Sequence, residues 1–256
     1  MVIAISQLSK TIGNQQVLQT IDLEIPENKI TSFIGPNGAG KSTLLGIISR
    51  LDQPTTGKVL VDGVDVHQAP SLQVAQLLSI LKQANNINLR LTVEDLVAFG
   101  RYPYCQGKLQ AADKEKIAQA LTYMGLDEFK HKYLDQLSGG QKQRAYIAMV
   151  LAQDTRYVFL DEPLNNLDMK YSVQIMRVLR DLVDKHGKTV IVVLHDINFA
   201  SAYSDHIIAL KDGQVALQGE VGKIMTSESL YQLYDINIDI HQVNGQYLAT
   251  YFKADV

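Results

Sequence analysis

A glycine-rich segment between an apolar strand pattern and a helix pattern carries residue types that bind phosphate. Residues 35–43 read GPNGAGKST. Glycines let the backbone bend so that successive N–H groups point at phosphate oxygens, and the following helix presents its positive end. In this pattern the lysine reaches the β and γ phosphates, and the serine hydroxyl binds Mg²⁺. The sequence therefore predicts a nucleotide site, rather than an ordinary strand–turn–helix corner, at Gly35, Pro36, Asn37, Gly38, Ala39, Gly40, Lys41, Ser42 and Thr43.

Two adjacent carboxylates end a second apolar strand pattern. Residues 157–160 read YVFL and are followed by Asp161 and Glu162. In open α/β sheets, ligands bind beyond the carboxyl ends of the strands. We expect Asp161 to hold Mg²⁺ through water and Glu162 to polarise the water that attacks the γ-phosphate. Alone, such a pair is more often a solvated loop, but the phosphate loop favours the catalytic interpretation.

A serine and two glycines stand directly before the helix pattern that begins near residue 141. The segment is Ser138, Gly139, Gly140 and Gln141, preceded by Leu137. Backbone N–H groups at such a helix start can bind an anion, although this segment has no lysine of its own. The alternative is a helix cap after a flexible turn.

Strand and helix patterns that alternate along the chain must position these groups. Strand patterns cover 2–6, 17–25, 29–34, 58–61, 78–82, 157–160 and 190–194, and residues 206–211 and 214–218 flank the hairpin signal Asp212-Gly213. Helix patterns cover about 41–51, 113–124, 141–152 and 170–185, and another begins at Thr92. The alternation predicts an α/β fold with a mainly parallel sheet covered on both faces, and the helical block at 92–152 is interpreted as an insertion.

Composition excludes several classes of protein. The chain has 256 residues, of which 46% are hydrophobic and 20% charged, so disorder, collagen and coiled coil are excluded. Apolar runs have strand length, and we expect neither a membrane span nor export. A single cysteine, Cys105, fits a reducing compartment. The net charge of −3 provides no argument for a nucleic-acid partner.

The ordered set of LSGGQ, the phosphate loop, YVFLDE and Asp168 resembles the ATP-binding subunit of an ABC transporter. The resemblance covers nearly the full length. It implies a RecA-like P-loop NTPase core with an N-terminal antiparallel β part and an inserted helical subdomain. The single ATP-binding domain at 1–256 would then comprise a core at 1–83 and 157–225, a helical subdomain at about 84–156 and a C-terminal extension at about 226–256.

The resemblance also implies a dimer and further site residues. Two copies would stack head to tail, so that Ser138–Gln141 of one copy covers the ATP on the other's phosphate loop. Gln83 matches the glutamine that senses Mg²⁺ and water, His195 the switch histidine at the γ-phosphate, and Asp168 the loop that communicates between sites. Without the resemblance, Gln83 and His195 would be ordinary strand-end residues and Asp168 an N-cap. Glu162, His195 and Lys41 are the expected catalytic residues, and Ser42, Gln83 and Asp161 the expected metal ligands.

Two departures from the family pattern stand out. Ile12 falls where an aromatic residue usually stacks on adenine, so it would pack on the base without the aromatic contribution. Residues 163–166 read PLNN, where small hydroxyl residues are common. Asp168 is retained, so we expect that loop to work.

The segment 84–104 indicates which kind of transporter this subunit drives. In ABC importers this region grips a cytoplasmic helix of the membrane permease, and AFGRYPY is similar to subunits of the iron–siderophore, haem and vitamin B12 import group. We expect an ATPase that energises ferric siderophore import at the cytoplasmic face of the membrane. An extracytoplasmic substrate-binding protein would be an indirect partner. Haem, vitamin B12 or another ABC transporter is the alternative; a non-transport ABC ATPase or a kinase is less favoured.

Overall fold

The computed structural model describes residues 3–83 and 89–251. The chain divides into two compact units, Met1–Ala69 with Thr189–Val256 and Pro70–Lys188. The strands are β1 (Ile3–Ile12), β2 (Gln15–Ile25), β3 (Ile30–Ile34), β4 (Thr56–Val61), β5 (Val64–Asp65), β6 (Leu78–Leu81), β7 (Tyr157–Asp161), β8 (Thr189–Val193), β9 (His206–Lys211), β10 (Gln214–Glu220), β11 (Asp239–Val243) and β12 (Gln246–Thr250). The helices are α1 (Lys41–Ile48), α2 (Ser71–Leu77), α3 (Val93–Phe99), α4 (Tyr102–Cys105), α5 (Ala111–Tyr123), α6 (Gly139–Ala152), α7 (Met169–Asp184), α8 (Ile197–Tyr203), α9 (Val221–Ile224) and α10 (Ser227–Tyr234).

An antiparallel sheet opens the first unit, in the order β2-β1-β4-β5. Its register pairs Ile3 with both Ile25 and Val61. Along β2 the buried residues Ile21, Leu23 and Ile25 alternate with exposed ones, which is the period of a strand with one face on a core.

The first unit also contains three strands that pair in parallel, β3, β8 and β9. β3 runs parallel to β8 on one side and to β9 on the other. Every residue of β3 and β8 is buried, as expected where both faces of a parallel sheet are covered. β9 and β10 form an antiparallel hairpin at the predicted turn, where Asp212 and Gly213 have φ of 50° and 75°.

The second unit combines two parallel strands with a group of helices. β6 pairs with β7 in parallel, from Leu78 opposite Tyr157 to Leu81 opposite Leu160. Helices α3, α5 and α6 pack on one another. The buried Arg144 of α6 donates to the Met124 carbonyl (2.7 Å) and lies 4.1 Å from the centre of the Tyr171 ring. That side chain therefore joins α6 to the end of the α5 segment and to α7.

The C-terminal residues of the first unit are fixed on α8. The hairpin of β11 and β12 lies against this helix. The Asn198 amide donates to the Ala249 carbonyl (3.2 Å) and accepts from its N–H (2.7 Å), and Ser201 donates to the Tyr247 carbonyl (2.7 Å). The hairpin is thus anchored to the helix that begins just after His195.

No helix within residues 3–83 and 89–251 combines the length and apolar character needed to cross a membrane.

Candidate functional site

The phosphate loop follows β3, and two of its glycines have no room for a side chain. Gly35 has φ of +137°, and a Cβ there would overlap the Leu210 carbonyl oxygen of β9. A Cβ on Gly40, which has φ of +97°, would come within 2.5 Å of a Leu18 methyl group. These glycines let the loop bend tightly against its neighbours, which brings backbone N–H groups to a concave anion cradle.

Lys41 is already seated in this loop. Its ammonium donates to the carbonyls of Gly35 and Pro36, each at 2.8 Å, and the residue is only 5% exposed. Gly40 is the N-cap of α1, and as a glycine it has no side chain that could cap that helix start. The loop thus combines a fixed positive charge with the first-turn N–H groups of a helix, which suits a polyphosphate.

His195 leaves the sheet beside the start of this loop. Phe33 of β3 pairs with Val193 of β8, and the Leu194 N–H donates to the Phe33 carbonyl at 3.1 Å. Gly35 and His195 each come two residues after that pair. Because the two strands are parallel, both residues leave the sheet at the same edge. The His195 side chain is exposed.

Tyr234, at the end of α10, is a residue near the loop that the sequence analysis missed. It forms a hydrogen bond with the Gly35 backbone, and burial, the larger effect, raises the pKa of Tyr234 to about 12. Lys211 of β9 donates to the Gln232 carbonyl (2.8 Å) and pairs with Asp235 (2.7 Å), which fixes the end of α10. The C-terminal extension therefore contacts the first glycine of the phosphate loop. A tyrosine in a short helix carries no sequence signal for that contact.

In the second unit, Gln83 and Glu162 meet beyond the paired strands. Leu81 lies opposite Leu160 in this parallel pair, and Gln83 and Glu162 each come two positions after these residues. The Gln83 amide donates to Glu162 Oε2 at 2.6 Å. Glu162 is only 8% exposed and has φ of +49°, a backbone conformation rare for a residue with a side chain. Strained backbone conformations of this kind cluster at active sites, among other places.

The segment at 138–141 forms the helix cap that was the alternative interpretation. Ser138 caps α6: its hydroxyl accepts from the Gln141 N–H (3.3 Å), while the Gln141 side chain accepts from the Ser138 N–H (2.9 Å). Nothing lies within 4 Å of a Cβ built on Gly139, so this backbone is open to a ligand. Cap and anion site are compatible, and the anion role stays a prediction.

The remaining predicted residues lie at element ends. Asp168 caps α7 by accepting from the Tyr171 N–H at 2.9 Å. Ile12 ends β1 with 56% of its surface exposed. Within the described residues no cluster of three or more histidine, cysteine or carboxylate side chains could hold a metal. The hydroxyl of Ser42, the carboxylate of Asp161 and the amide of Gln83 are oxygen ligands of the kind Mg²⁺ uses together with phosphate oxygens.

Comparison with known proteins identifies the family. The family described as "ABC transporter" matches residues 18–165. The chain belongs to the ABC transporter ATPase family. It is 53% identical to the petrobactin import ATP-binding protein YclP of Bacillus subtilis (strain 168), over 98% of this chain and 100% of that protein. It is 39% identical to the ferric enterobactin transport ATP-binding protein FepC of Escherichia coli (strain K12), over 90% of this chain and 86% of that protein.

A solved ABC cassette has the same fold. The dimeric post-hydrolysis structure of the cassette MJ0796 bound to ADP and Pi matches with a TM-score of 0.77 and 33% identity, covering 86% of this chain and 98% of that one. The likeness confirms the predicted RecA-like fold with its antiparallel β part and helical part. Together with the family match it confirms the prediction of an ABC-type ATP hydrolase whose nucleotide is ATP.

Proposed function

We propose that this chain is the ATPase subunit of an importer for ferric siderophores. The observation that carries the proposal is its similarity to YclP, which is named for petrobactin import and aligns over 98% of the chain. FepC, named for ferric enterobactin transport, supports the same substrate class with a different siderophore. Petrobactin and enterobactin differ as molecules, so the proposal extends to the class and not to one compound. Import of haem or vitamin B12 is the competing outcome.

We infer that ATP is hydrolysed between two copies of the chain. Each copy contains one phosphate loop and one segment at 138–141, and the MJ0796 cassette bound to ADP and Pi is a dimer. In a head-to-tail arrangement, the open backbone at Gly139 and the first-turn N–H groups of α6 would cap the γ-phosphate of the partner's ATP. Asp168 would pass the state of one site to the other, and Ile12 would pack on the base.

The proposed chemistry assigns one task to each side chain. Lys41 neutralises charge that develops on the transferred phosphate, because its ammonium is already fixed in the loop. Glu162 accepts a proton from the attacking water, and His195 contacts the γ-phosphate. Mg²⁺, when bound by Ser42, Asp161 and Gln83, would neutralise phosphate charge. The seating of Lys41 in the glycine-rich loop and the hydrogen bond from Gln83 to Glu162 support these assignments.

Attachment to a membrane permease explains how such a subunit acts at the cytoplasmic face of a membrane. The proposed contact is the segment 84–104, of which 84–88 lies outside the described residues. Within its described part, Tyr102 is 59% exposed on α4, while Tyr104 is held over the Arg101 guanidinium at 4.1 Å. Exposed aromatic side chains favour a protein partner. A substrate-binding protein would act indirectly, through the permease, and we expect no nucleic-acid partner.

Uptake measurements test the proposed substrate. In cells that lack the gene for this chain, its expression should restore uptake of radioactive iron presented as a ferric siderophore, because the permease regains its ATPase. The inactive control is Glu162→Gln, which should restore nothing. Uptake of labelled haem or vitamin B12 in place of the ferric siderophore would contradict the assignment.

The permease contact has a separate test. Tyr102→Ala should lower siderophore uptake at least about tenfold while ATP hydrolysis by the purified chain stays unchanged, since contact-centre aromatics often contribute 2 kcal/mol or more. The matched control is Tyr123→Ala, which removes another exposed tyrosine of the same unit, on α5. Normal uptake by the Tyr102 variant would exclude this residue from the contact.

A further inference from the structure

The turn after β7 carries an amide side chain for which neither the sequence nor the proposed chemistry provides a task. Asn165 Nδ2 donates to Glu162 Oε2 at 2.6 Å. Gln83 Nε2 donates to the same oxygen, also at 2.6 Å. Two amide donors from separate segments of the chain thus converge on one carboxylate oxygen.

This convergence fixes the direction of the whole carboxylate. A carboxylate is planar, so holding Oε2 from two directions also determines where Oε1 points. Glu162 is buried, while Asn165 is exposed and turns its amide back towards it. A proton acceptor must lie within hydrogen-bond reach of the water it activates, and small misplacements are costly to rate.

The turn itself does not depend on the Asn165 side chain. The Asn165 N–H donates to the Glu162 carbonyl (3.3 Å), and the Leu167 N–H donates to the Leu164 carbonyl (3.2 Å). The Gln143 side chain of α6 also donates to the Pro163 carbonyl at 3.0 Å. These bonds use backbone atoms of the turn, so they persist when the side chain at 165 changes. The amide of Asn165 is therefore directed at the glutamate rather than needed for the shape of the turn.

We propose that Asn165 is a positioning residue that holds the Glu162 carboxylate in the orientation for accepting a proton from water. The inference rests on the proposed function, in which Glu162 is the proton acceptor. Asn165 has no contact with ATP in this scheme and acts through Glu162 alone.

Two substitutions separate positioning from support of the fold. Asn165→Asp keeps the shape of the side chain and tolerates the turn, but it replaces the donor by a negative charge facing Glu162. Asn165→Ala only removes the donor. Positioning therefore predicts that kcat falls about tenfold in the alanine variant and further in the aspartate variant. A structural role predicts the opposite order, with the aspartate variant closer to the wild type.

The measurements are kcat and KM for ATP hydrolysis by the purified chain, with thermal unfolding recorded for each variant. We expect KM to stay within about twofold, because one hydrogen bond that ATP does not share is lost. The matched control is Asn166→Asp, the same change one residue later. The Asn166 amide is not a donor to Glu162 in the described structure, and its φ of +62° is tolerated by aspartate.

Each outcome decides the proposal. The order wild type, alanine, aspartate in kcat at constant KM supports it, and so does a normal Asn166→Asp variant. An aspartate variant as active as the wild type, or losses that follow the unfolding temperatures, would overturn it. Glu162→Gln distinguishes the two levels: if that variant hydrolyses ATP normally, the proposed task of Glu162 is wrong. If it is inactive and Asn165→Asp is active, only the inference about Asn165 is wrong.

Discussion

Glu162→Gln is expected to lower the rate of ATP hydrolysis at least about a hundredfold while ATP binding is retained, because general-base catalysis contributes roughly that much or more. Glutamine keeps the shape of glutamate and can still present an oxygen to the amides of Gln83 and Asn165, which lie 2.6 Å from the carboxylate. It cannot accept a proton from water at neutral pH. With hydrolysis blocked, the ATP-bound assembly should accumulate as a dimer.

Three measurements on one preparation check this prediction: phosphate release, ATP binding by calorimetry, and mass by light scattering with ATP present. Glu128→Gln is the matched control, since Glu128 is an exposed glutamate of the same unit and should tolerate the change. Phosphate release within threefold of the wild-type rate would remove Glu162 from its proposed task. Loss of ATP binding would mean that the side chain acts on the substrate and not on water.

Features encoded by neighbouring residues were predictable from the sequence. The phosphate loop and the hairpin at Asp212-Gly213 depend on glycine at a few adjacent positions, so their spacing alone indicates the structure. The first strand was predicted to end at residue 6, yet β1 continues to Ile12. A register shift between Ile5 and Leu8, with φ of +50° at Gln7, interrupts the alternation on which the prediction depends.

Contacts between distant segments were not predictable in this way. Gln83 and Glu162 are 79 positions apart, and only the parallel register of β6 and β7 brings their side chains together. Tyr234 contacts Gly35 because α10 packs on β9, which no local pattern encodes. The amide of Asn165 looked like a departure from the family pattern, and its meaning depends on where the Glu162 side chain turns. Sequence patterns therefore identified the loops, and the fold determined how their side chains pair.

Lys41→Ala should weaken ATP binding itself, about thirtyfold or more, which corresponds to roughly 2 kcal/mol. The ammonium of Lys41 is buried and already held by the carbonyls of Gly35 and Pro36. ATP therefore meets a positive charge that needs little further ordering, and the variant loses that charge where phosphate oxygens concentrate. The change differs in kind from Glu162→Gln, which leaves the affinity for ATP intact.

The affinity can be measured by calorimetry and, independently, by the rise in unfolding temperature that ATP produces. A ligand that binds only the folded state stabilises it by RT ln(1 + [L]/Kd), so the rise should shrink in the variant at the same ATP concentration. Lys58→Ala, which removes an exposed lysine of β4, controls for the loss of one positive charge. If Lys41→Ala binds ATP as tightly as Lys58→Ala does, the loop's backbone binds the phosphates alone and the lysine is not part of the binding site.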